Sequence, residues 1–268
     1  MSYAQTHFGQ IVRLSDGAVL SPDLSNAAWR EYLGWHAAGG QVVPPPQYQP
    51  VTAPATNVTL SGRHSGHPAP GNPYGWPPAQ SETDYVRYNL PYNFALNRIV
   101  FCFTDVWASH PVAGWAARAE AHMQSVLAPL MNGLRANGAT ILHAPHHTPI
   151  HPLCEPQSGD FIFQPDIDRS GVKSVGETND HLVTWLKHNN TQLLIFAGYA
   201  INICVVRSDG GMFPMAWRGI PTAAVRDAVL SLESDLTFNG KWAEVVMIDF
   251  VEQLLGPTFL SSEILAAL

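Results

Sequence analysis

The stretch that decides the fold of this chain reads QLLIFAGYAINIC and spans residues 192–204. Residues 192–197 are predicted to be a strand, because a short, almost uninterrupted apolar run is typical of a strand buried on both faces of a parallel sheet. Gly198 ends this run, and a helix is predicted from Asn202 onward. A strand that passes directly into a helix is the repeating unit of an α/β fold, so further units of this kind are expected on either side.

The region from residue 91 onward repeats this alternation. Strands are predicted at 98–103, 139–143, 192–197 and 222–225, and helices at 123–134, 180–188, from Asn202 and at 242–255. Pro129 lies inside the first of these helices, so the helix either kinks there or a new helix begins with proline in its first turn. Helical crossovers between strands are right-handed and give a parallel sheet covered on both faces. The sequence therefore predicts a three-layer α/β/α domain with a mainly parallel, doubly wound, Rossmann-like sheet.

Two regions with a different composition precede this domain. Residues 1–43 are predicted to form an arm, with a hairpin that turns at Ser15-Asp16-Gly17 and a helix that ends at Gly39-Gly40. Residues 44–90 are predicted to form a strap or linker, because 44–78 holds ten of the 22 prolines and excludes a helix or a central strand. The predicted division is thus 1–43, 44–90 and 91–268.

The charge of the chain excludes several classes of partner. Charged residues make up 13% of the 268 residues, about half the usual share, and the formal net charge is −7. Because the chain is acidic and has no basic run, we exclude nucleic acid and membrane surfaces as partners. We find no spanning segment or leader sequence, and the three scattered cysteines favour a reduced, cytoplasmic protein.

Two reactive side chains follow directly after predicted strands. Asp105 follows the strand at 98–103, and Cys204 lies in the first turn of the helix after 192–197. Because the carboxyl ends of parallel strands meet at one edge of a sheet, we look for chemistry there. Backbone N–H groups in a first helical turn favour a thiolate and can hold an oxyanion, and a nearby acid can take the thiol proton. The alternative for Cys204 is an inert, buried thiol.

The pairing of Asp105 with Gly198-x-x-x-x-x-Cys204-Val205 resembles the isochorismatase-like cysteine hydrolases, which include nicotinamidases, N-carbamoylsarcosine amidohydrolase and ureidoacrylate amidohydrolases. Residues 130–145, LMNGLRANGATILHAP, and 219–229, GIPTAAVRDAV, resemble further segments of this family. The resemblance covers 91–268 and implies the isochorismatase-like hydrolase fold. It also implies a Cys-Asp-Lys triad with Cys204 as nucleophile and Asp105 as base.

The resemblance implies further features of the site. The backbone N–H groups of Ala200 and Cys204 are expected to form an oxyanion hole, with a non-proline cis peptide between Tyr199 and Ala200. For the lysine, the chain offers only Lys173, Lys187 and Lys241. Lys187 is predicted to lie on a solvated helix face and Lys241 lies past the active edge, so Lys173 is the expected third member.

Other residues are candidates for the third role, for substrate contact and for metal binding. Glu177 or a histidine is the alternative to Lys173. The expected substrate contacts are Trp107, Tyr199 and His110. The alternative for Trp107 is core packing of its ring, and the alternative for His110 is a plain loop histidine. His143, His147 and His151 partly match a nicotinamidase metal loop, but Pro145 stands where that loop has its Asp, so we predict no metal and no cofactor.

These features predict a cysteine-dependent hydrolase that cleaves a C–N bond of a small amide, ureide or carbamoyl compound through a thioester. We expect a homo-oligomer, a dimer or a tetramer, since the family oligomerises and low charge indicates covered surface. The alternative is a non-catalytic binding or structural module on the hydrolase fold, because residues 29–40, WREYLGWHAAGG, resemble short segments of bacteriophage tail proteins.

Overall fold

The fold is described from a computed structural model, which describes residues 3–5, 11–13, 18–20, 27–41, 56–66, 86–145, 149–163 and 179–268. The strands are β1 Tyr3–Gln5, β2 Ile11–Arg13, β3 Ala18–Leu20, β4 Asn57–Gly66, β5 Val86–Ala95, β6 Ile99–Thr104, β7 Thr140–Ala144, β8 Phe161–Ile162, β9 Leu193–Tyr199, β10 Thr222–Leu230 and β11 Thr258–Phe259. The helices are α1 Ala27–Ala37, α2 Ala113–His122, α3 Ala128–Ala136, α4 Asn179–His188, α5 Met212–Trp217, α6 Trp242–Leu254 and α7 Ser261–Ala267. Within these ranges, no helix is long and apolar enough to cross a membrane.

Eight of the strands form one sheet, in the order β5-β4-β11-β10-β9-β6-β7-β8. The six strands from β11 to β8 pair in parallel, and β4 and β5 add an antiparallel pair at one edge. Helices lie in the connections from β6 to β7, from β8 to β9, from β9 to β10 and from β10 to β11, as crossovers between parallel strands require. The predicted α/β fold with a mainly parallel sheet is confirmed.

The alternation of side chains along β6 divides the core into two layers. Phe101 and Phe103 pack on one face of the sheet with α2, α3 and α7, whereas Val100 and Cys102 pack on the other face with α4, α5 and α6. All six residues of β6 are buried. An apolar run without polar alternation is what a strand covered on both faces requires.

The predicted elements from residue 98 onward are present, with two refinements of the helices. A single π-helical turn, Met123–Leu127, connects α2 to α3, and Pro129 lies in the first turn of α3. The second alternative for Pro129 is therefore correct. The helix predicted from Asn202 onward is present as a short segment: Ile201–Val205 is a π-helical turn that residues 206–207 extend, and α5 begins at Met212.

The N-terminal region confirms one prediction and corrects another. β2 and β3 pair antiparallel as the predicted hairpin requires, and its turn at 15–17 lies outside the described residues. β1 pairs with β2 on its other side, and α1 corresponds to the predicted helix. The expectation that 44–78 contributes no central strand is wrong, because β4 lies between β5 and β11. This strand spans the proline-free part of the segment, which allows it to donate to both neighbours.

The boundary predicted at residue 91 falls inside β5. Pro91 is located in this strand, and β5 is the edge strand of the sheet. A proline at an edge is tolerated because its missing N–H faces away from the neighbouring strand. The division into 1–43, 44–90 and 91–268 stays a prediction, but the strands Asn57–Gly66 and Val86–Ala95 belong to the large sheet.

Candidate active site

β6 and β9 bring the two predicted catalytic segments to the same edge of the sheet. The strands are neighbours, and Thr104, the last residue of β6, is paired with Gly198. Asp105 directly follows Thr104, and the segment that leads to Cys204 follows Gly198. The register therefore makes both segments leave the sheet side by side at its carboxyl edge.

Gly198 is required for this close approach. Its φ is +110°, and a Cβ at this position would lie 2.0 Å from the backbone oxygen of Thr104. An L-residue avoids such a φ, and the contact leaves no room for a methyl group. The glycine that ends the apolar run of β9 thus allows the backbones on the two sides of the site to approach closely.

Asp105 is held in a fixed position at the end of β6. The residue is 1% exposed, and its φ is +50°, a left-handed conformation that Asp tolerates better than most side chains. Its backbone N–H donates to the Ala144 oxygen at 3.3 Å, and its carbonyl accepts from the Trp107 N–H at 2.9 Å. The loop that follows is fixed by a hydrogen bond from the His151 N–H to the Val106 oxygen at 2.8 Å.

Cys204 lies in the π-helical turn Ile201–Val205 that follows β9. The structure has the cis peptide bond predicted between Tyr199 and Ala200. The Ala200 oxygen accepts from the backbone N–H groups of Ile203 at 3.0 Å and Val205 at 3.1 Å, which closes the turn. After the turn, the Cys204 oxygen accepts from the N–H and the hydroxyl group of Ser208.

The environment of the three cysteines differs sharply. Cys204 is partly exposed, whereas Cys102 and Cys154 are buried. Burial raises the pKa of Cys102 to about 12 and that of Cys154 to about 12. Since the thiolate is the nucleophile, only Cys204 combines access with a position at the active edge.

The three predicted substrate contacts lie in one aromatic cluster. The ring centroid of Trp107 is 4.9 Å from that of His110 and 5.4 Å from that of Tyr199. Trp115 of α2 completes the cluster, with its ring 6.0 Å from Trp107 and 6.0 Å from Tyr199. His110 is partly exposed, Trp107 is buried, and Tyr199 is fully buried. The cluster thus has an exposed end at His110 and an inner end at Tyr199.

The Tyr199 side chain is anchored in the core. Its hydroxyl group donates to the Ala119 oxygen at 3.0 Å and lies 3.0 Å from His122 Nδ1. The other ring nitrogen of His122, Nε2, is 2.7 Å from the backbone oxygen of Asp227 on β10. This chain of contacts joins the residue before the cis peptide to α2 and to a third strand.

Comparisons with known proteins find solved structures with a similar architecture. No protein-family model and no curated protein matches the sequence. Among solved structures, a cysteine hydrolase from Pseudomonas syringae pv. phaseolicola 1448A matches with a TM-score of 0.51 and 13% sequence identity, covering 65% of this chain and 93% of that chain. The chain has the isochorismatase-like cysteine hydrolase fold.

Two other solved structures match less closely. An isochorismatase family protein from Desulfovibrio vulgaris subsp. vulgaris str. Hildenborough has a TM-score of 0.46 and 14% identity, covering 62% of this chain and 96% of that chain. An N-carbamoylsarcosine amidase from Thermoplasma acidophilum has a TM-score of 0.42 and 12% identity, covering 61% and 96%. At these identities the likeness concerns the fold, and the chemistry has to be argued from the residues of this chain.

Two of the histidines considered for a metal site, His143 on β7 and His151 in the following loop, make structural contacts. His143 Nε2 lies 2.9 Å from Asp160 Oδ2, which also accepts from Arg135 Nη2 at 2.6 Å. His151 Nε2 lies 2.9 Å from Glu120 Oε2, and its Nδ1 accepts from the Leu153 N–H at 3.2 Å. In the part of the chain that the structure describes, no group of three potential ligands could hold a metal. His147 lies outside the described residues.

The residue predicted as the third member of the triad lies outside the described residues. Lys173 and its alternative Glu177 are outside the described residues, so both stay predictions. Lys187 is exposed on α4, as expected of a solvated helix face. Lys241 donates from Nζ to the Phe238 oxygen at 2.6 Å.

Three residues on α2 contribute to this site although the sequence reasoning did not include them. Trp115, Arg118 and His122 are spaced by three and four residues, so they share one helix face. The Arg118 guanidinium lies 5.0 Å from the centre of the Trp115 ring, and His122 contacts Tyr199. A search for polar and aromatic residues at helical spacing after Asp105 would have found them.

Proposed function

We propose that the protein is a cysteine-dependent hydrolase that cleaves the C–N bond of a small amide, ureide or carbamoyl compound. One observation carries the proposal: Asp105 and the turn that contains Cys204 follow paired residues of two neighbouring strands at the carboxyl edge of a cysteine hydrolase fold. A partly exposed thiol and a buried carboxylate on adjacent segments are the pair of groups that nucleophilic catalysis by cysteine needs.

The first half of the reaction forms a thioester. The Asp105 carboxylate takes the proton from Cys204 Sγ, and the thiolate attacks the carbonyl carbon of the substrate. The oxyanion of the tetrahedral intermediate is held by the backbone N–H groups of Ala200 and Cys204. The intermediate then collapses, the C–N bond breaks, and protonated Asp105 gives its proton to the departing nitrogen, which leaves as ammonia or an amine.

The second half returns the enzyme to its starting state. Asp105 takes a proton from a water molecule, and the resulting hydroxide attacks the thioester carbon. The C–S bond breaks, the acid product leaves, and the proton on Asp105 returns to the Cys204 thiolate. Lys173 supplies a positive charge that keeps Asp105 ionised between turnovers.

The aromatic cluster supports a small, partly apolar substrate. We assign substrate contact to the end of the cluster near Trp107 and His110, because Trp107 is two residues from Asp105 and His110 is partly exposed. Tyr199 is fully buried, so it supports the pocket from behind by fixing the residue before Ala200. A nucleophilic thiol has no role in cleaving a vinyl ether, so we propose amide-type substrates instead.

The test is release of ammonia or amine across a panel of nicotinamide, ureido acids, carbamoyl amino acids and maleamate. We expect turnover of at least one compound, and a loss of at least about a thousandfold in kcat for Cys204→Ala and Asp105→Asn. Cys102→Ala is the matched control, because this thiol is buried in the other core layer, on the opposite face of the sheet from the aromatic cluster. Absence of turnover across the panel, or full activity of Cys204→Ala, contradicts the proposal and favours a non-catalytic module. A homo-oligomeric state and a cytoplasmic location stay predictions.

A further inference from the structure

Asn202 ties the turn that contains Cys204 to a backbone segment after β10. Its Nδ2 donates to the Leu232 oxygen at 3.0 Å, and its Oδ1 accepts from the Leu232 N–H at 3.1 Å. The two bonds pair one side-chain amide with both polar groups of one residue. Asn202 is two residues before Cys204, within the same π-helical turn.

The segment that Asn202 contacts, Ser231–Glu233, is itself fixed from two other directions. The Ser231 oxygen accepts from Arg118 Nη2 of α2, and the Ser231 N–H donates to Glu244 Oε2 of α6 at 3.1 Å. The carboxylate of Glu233 accepts from the backbone N–H groups of Ala243 and Glu244 at the start of α6. Because these hydrogen bonds hold the segment in place, it is a rigid support for the turn that contains Cys204.

Arg118 connects the segment Ser231–Glu233 to the aromatic cluster on the other side of the site. Its guanidinium stacks on Trp115, whose ring contacts both Trp107 and Tyr199. The same segment, Ser231–Glu233, therefore contacts the turn of Cys204 and, through Arg118, the aromatic cluster next to Asp105. These contacts hold the nucleophile side and the base side of the site in one arrangement.

We infer that Asn202 is a positioning residue that holds the Cys204 thiol in its reactive place through Leu232. This inference rests on the proposed function, in which Cys204 is the nucleophile. A nucleophile has to be held within a fraction of an ångström of its productive position, and the two bonds of Asn202 fix the turn that contains Cys204 to the segment after β10.

The chemistry of the side chain makes the inference testable by pH. An Asp at position 202 keeps the acceptor but loses the donor, and its negative charge faces the Leu232 oxygen. A protonated Asp has one O–H donor and one acceptor, so it can restore both bonds. Burial against a carbonyl oxygen raises the pKa of such a carboxyl above its ordinary value, so that restoration begins at mildly acid pH.

The experiment compares the rate at which 2,2′-dipyridyl disulfide modifies Cys204 in the wild type and in Asn202→Asp, from about pH 8 to about pH 5. We expect the variant to react about tenfold more slowly at the alkaline end, the factor that one lost hydrogen bond produces, and at close to the wild-type rate at the acid end. The nearby titratable groups, Arg118, Glu233 and Glu244, are the same in both proteins, so the ratio of the two rates isolates residue 202.

A matched control separates this role from a general loss of stability. Asn137→Asp removes a similar bond, from Asn137 Nδ2 to the Gly133 oxygen at 2.9 Å, at the end of α3. It is expected to leave the rate ratio at one across the pH range. Equal rates for folded Asn202→Asp and the wild type at every pH would overturn the inference.

Two further measurements keep the inference testable. If Asn202→Asp does not fold, hydrogen exchange of the wild type tests the inference instead. The inference requires the Leu232 amide to exchange slowly, because this amide donates to Asn202. Exchange as fast as in an open loop overturns the inference. The thiol reaction needs no substrate, so a failure of the amide panel contradicts the proposed function while the rate ratio still tests Asn202.

Discussion

Replacement of Gly198 by alanine tests the backbone contact on which the site depends. The added Cβ would lie 2.0 Å from the Thr104 oxygen, 2.9 Å from the Thr104 carbonyl carbon and 3.0 Å from the Thr104 nitrogen. All three atoms are backbone, so no side chain can rotate away to relieve the contact. Either β6 and β9 separate at their last paired residues, or the residue leaves its φ of +110°.

The expected cost has two parts. A Cβ in a left-handed backbone conformation costs about 1–2 kcal/mol, and forcing an extra methyl group into a packed region costs about 1–3 kcal/mol. Together they amount to about 2–5 kcal/mol, a large share of the roughly 5–15 kcal/mol that stabilises an ordinary domain. The site should also suffer, because the separation occurs at the residues that precede Asp105 and Cys204.

The assay is urea unfolding at equilibrium, with two control variants that divide the cost. Gly138 has a φ of +70° and open space around a Cβ, so Gly138→Ala measures the backbone part alone. Gly114, in the first turn of α2, has open space and no unusual φ, so Gly114→Ala should be neutral or stabilising by up to about 1 kcal/mol. If Gly198→Ala loses no more stability than Gly138→Ala, the close contact between the strands is refuted.

Three other predictions concern the thiols, a helix cap and acid. Iodoacetamide at neutral pH should modify Cys204 alone in the native protein, and equal labelling of the buried thiols would contradict this. The buried thiols are Cys102 and Cys154. Asp227 accepts from the N–H of Ser261 at 2.8 Å and from its hydroxyl at 2.7 Å, so Asp227→Ala should lower the free energy of unfolding by about 1–2 kcal/mol, and a change under about 0.5 kcal/mol in urea refutes the cap. Burial lowers the pKa of four histidines below the ordinary 6.5, namely His64, His110, His122 and His143. Since the unfolded chain protonates first, the stability present above about pH 6.5 should fall as the pH drops below it, and constant urea midpoints from pH 7.5 to 5.5 contradict this.

The parallel part of the sheet could be predicted because each of its main strands carries a local signal. β6 and β9 are apolar along their whole length, and a strand of this kind is stable only between two helical layers. The positions of Asp105 and Cys204 followed from the same reasoning, because the carboxyl ends of such strands share an edge. The register that pairs Thr104 with Gly198 needed the structure.

The antiparallel edge of the sheet could not be predicted, because its strands carry a mixed signal. β4 alternates buried and exposed residues over its first half but contains polar residues, and it lies between two proline-rich stretches. Part of its stability comes from contacts distant in sequence, such as the bond of 2.7 Å from Arg63 Nε to Glu252 Oε1 of α6. A pattern confined to one segment does not contain such a partner.

The shape of the turn at Cys204 also depends on distant residues. The helix predicted from Asn202 is short, the Asn202 side chain bonds to Leu232, and α5 begins at Met212. This contact joins residues that are 30 positions apart, so no pattern within the segment contains it. Local sequence therefore predicted where Cys204 lies along the chain but not the contacts that hold it.

Detection of the covalent acyl-enzyme tests most directly whether the Cys204 thiol is the nucleophile. The protein is mixed with the best amide of the panel, quenched in acid within the first turnovers, and measured by intact mass and by peptide mapping. We predict a mass increase equal to the acyl part of the substrate, located on Cys204 and absent from Cys204→Ala. Turnover of that amide by Cys204→Ala at the wild-type rate, with no acyl group on the wild-type cysteine, would contradict it.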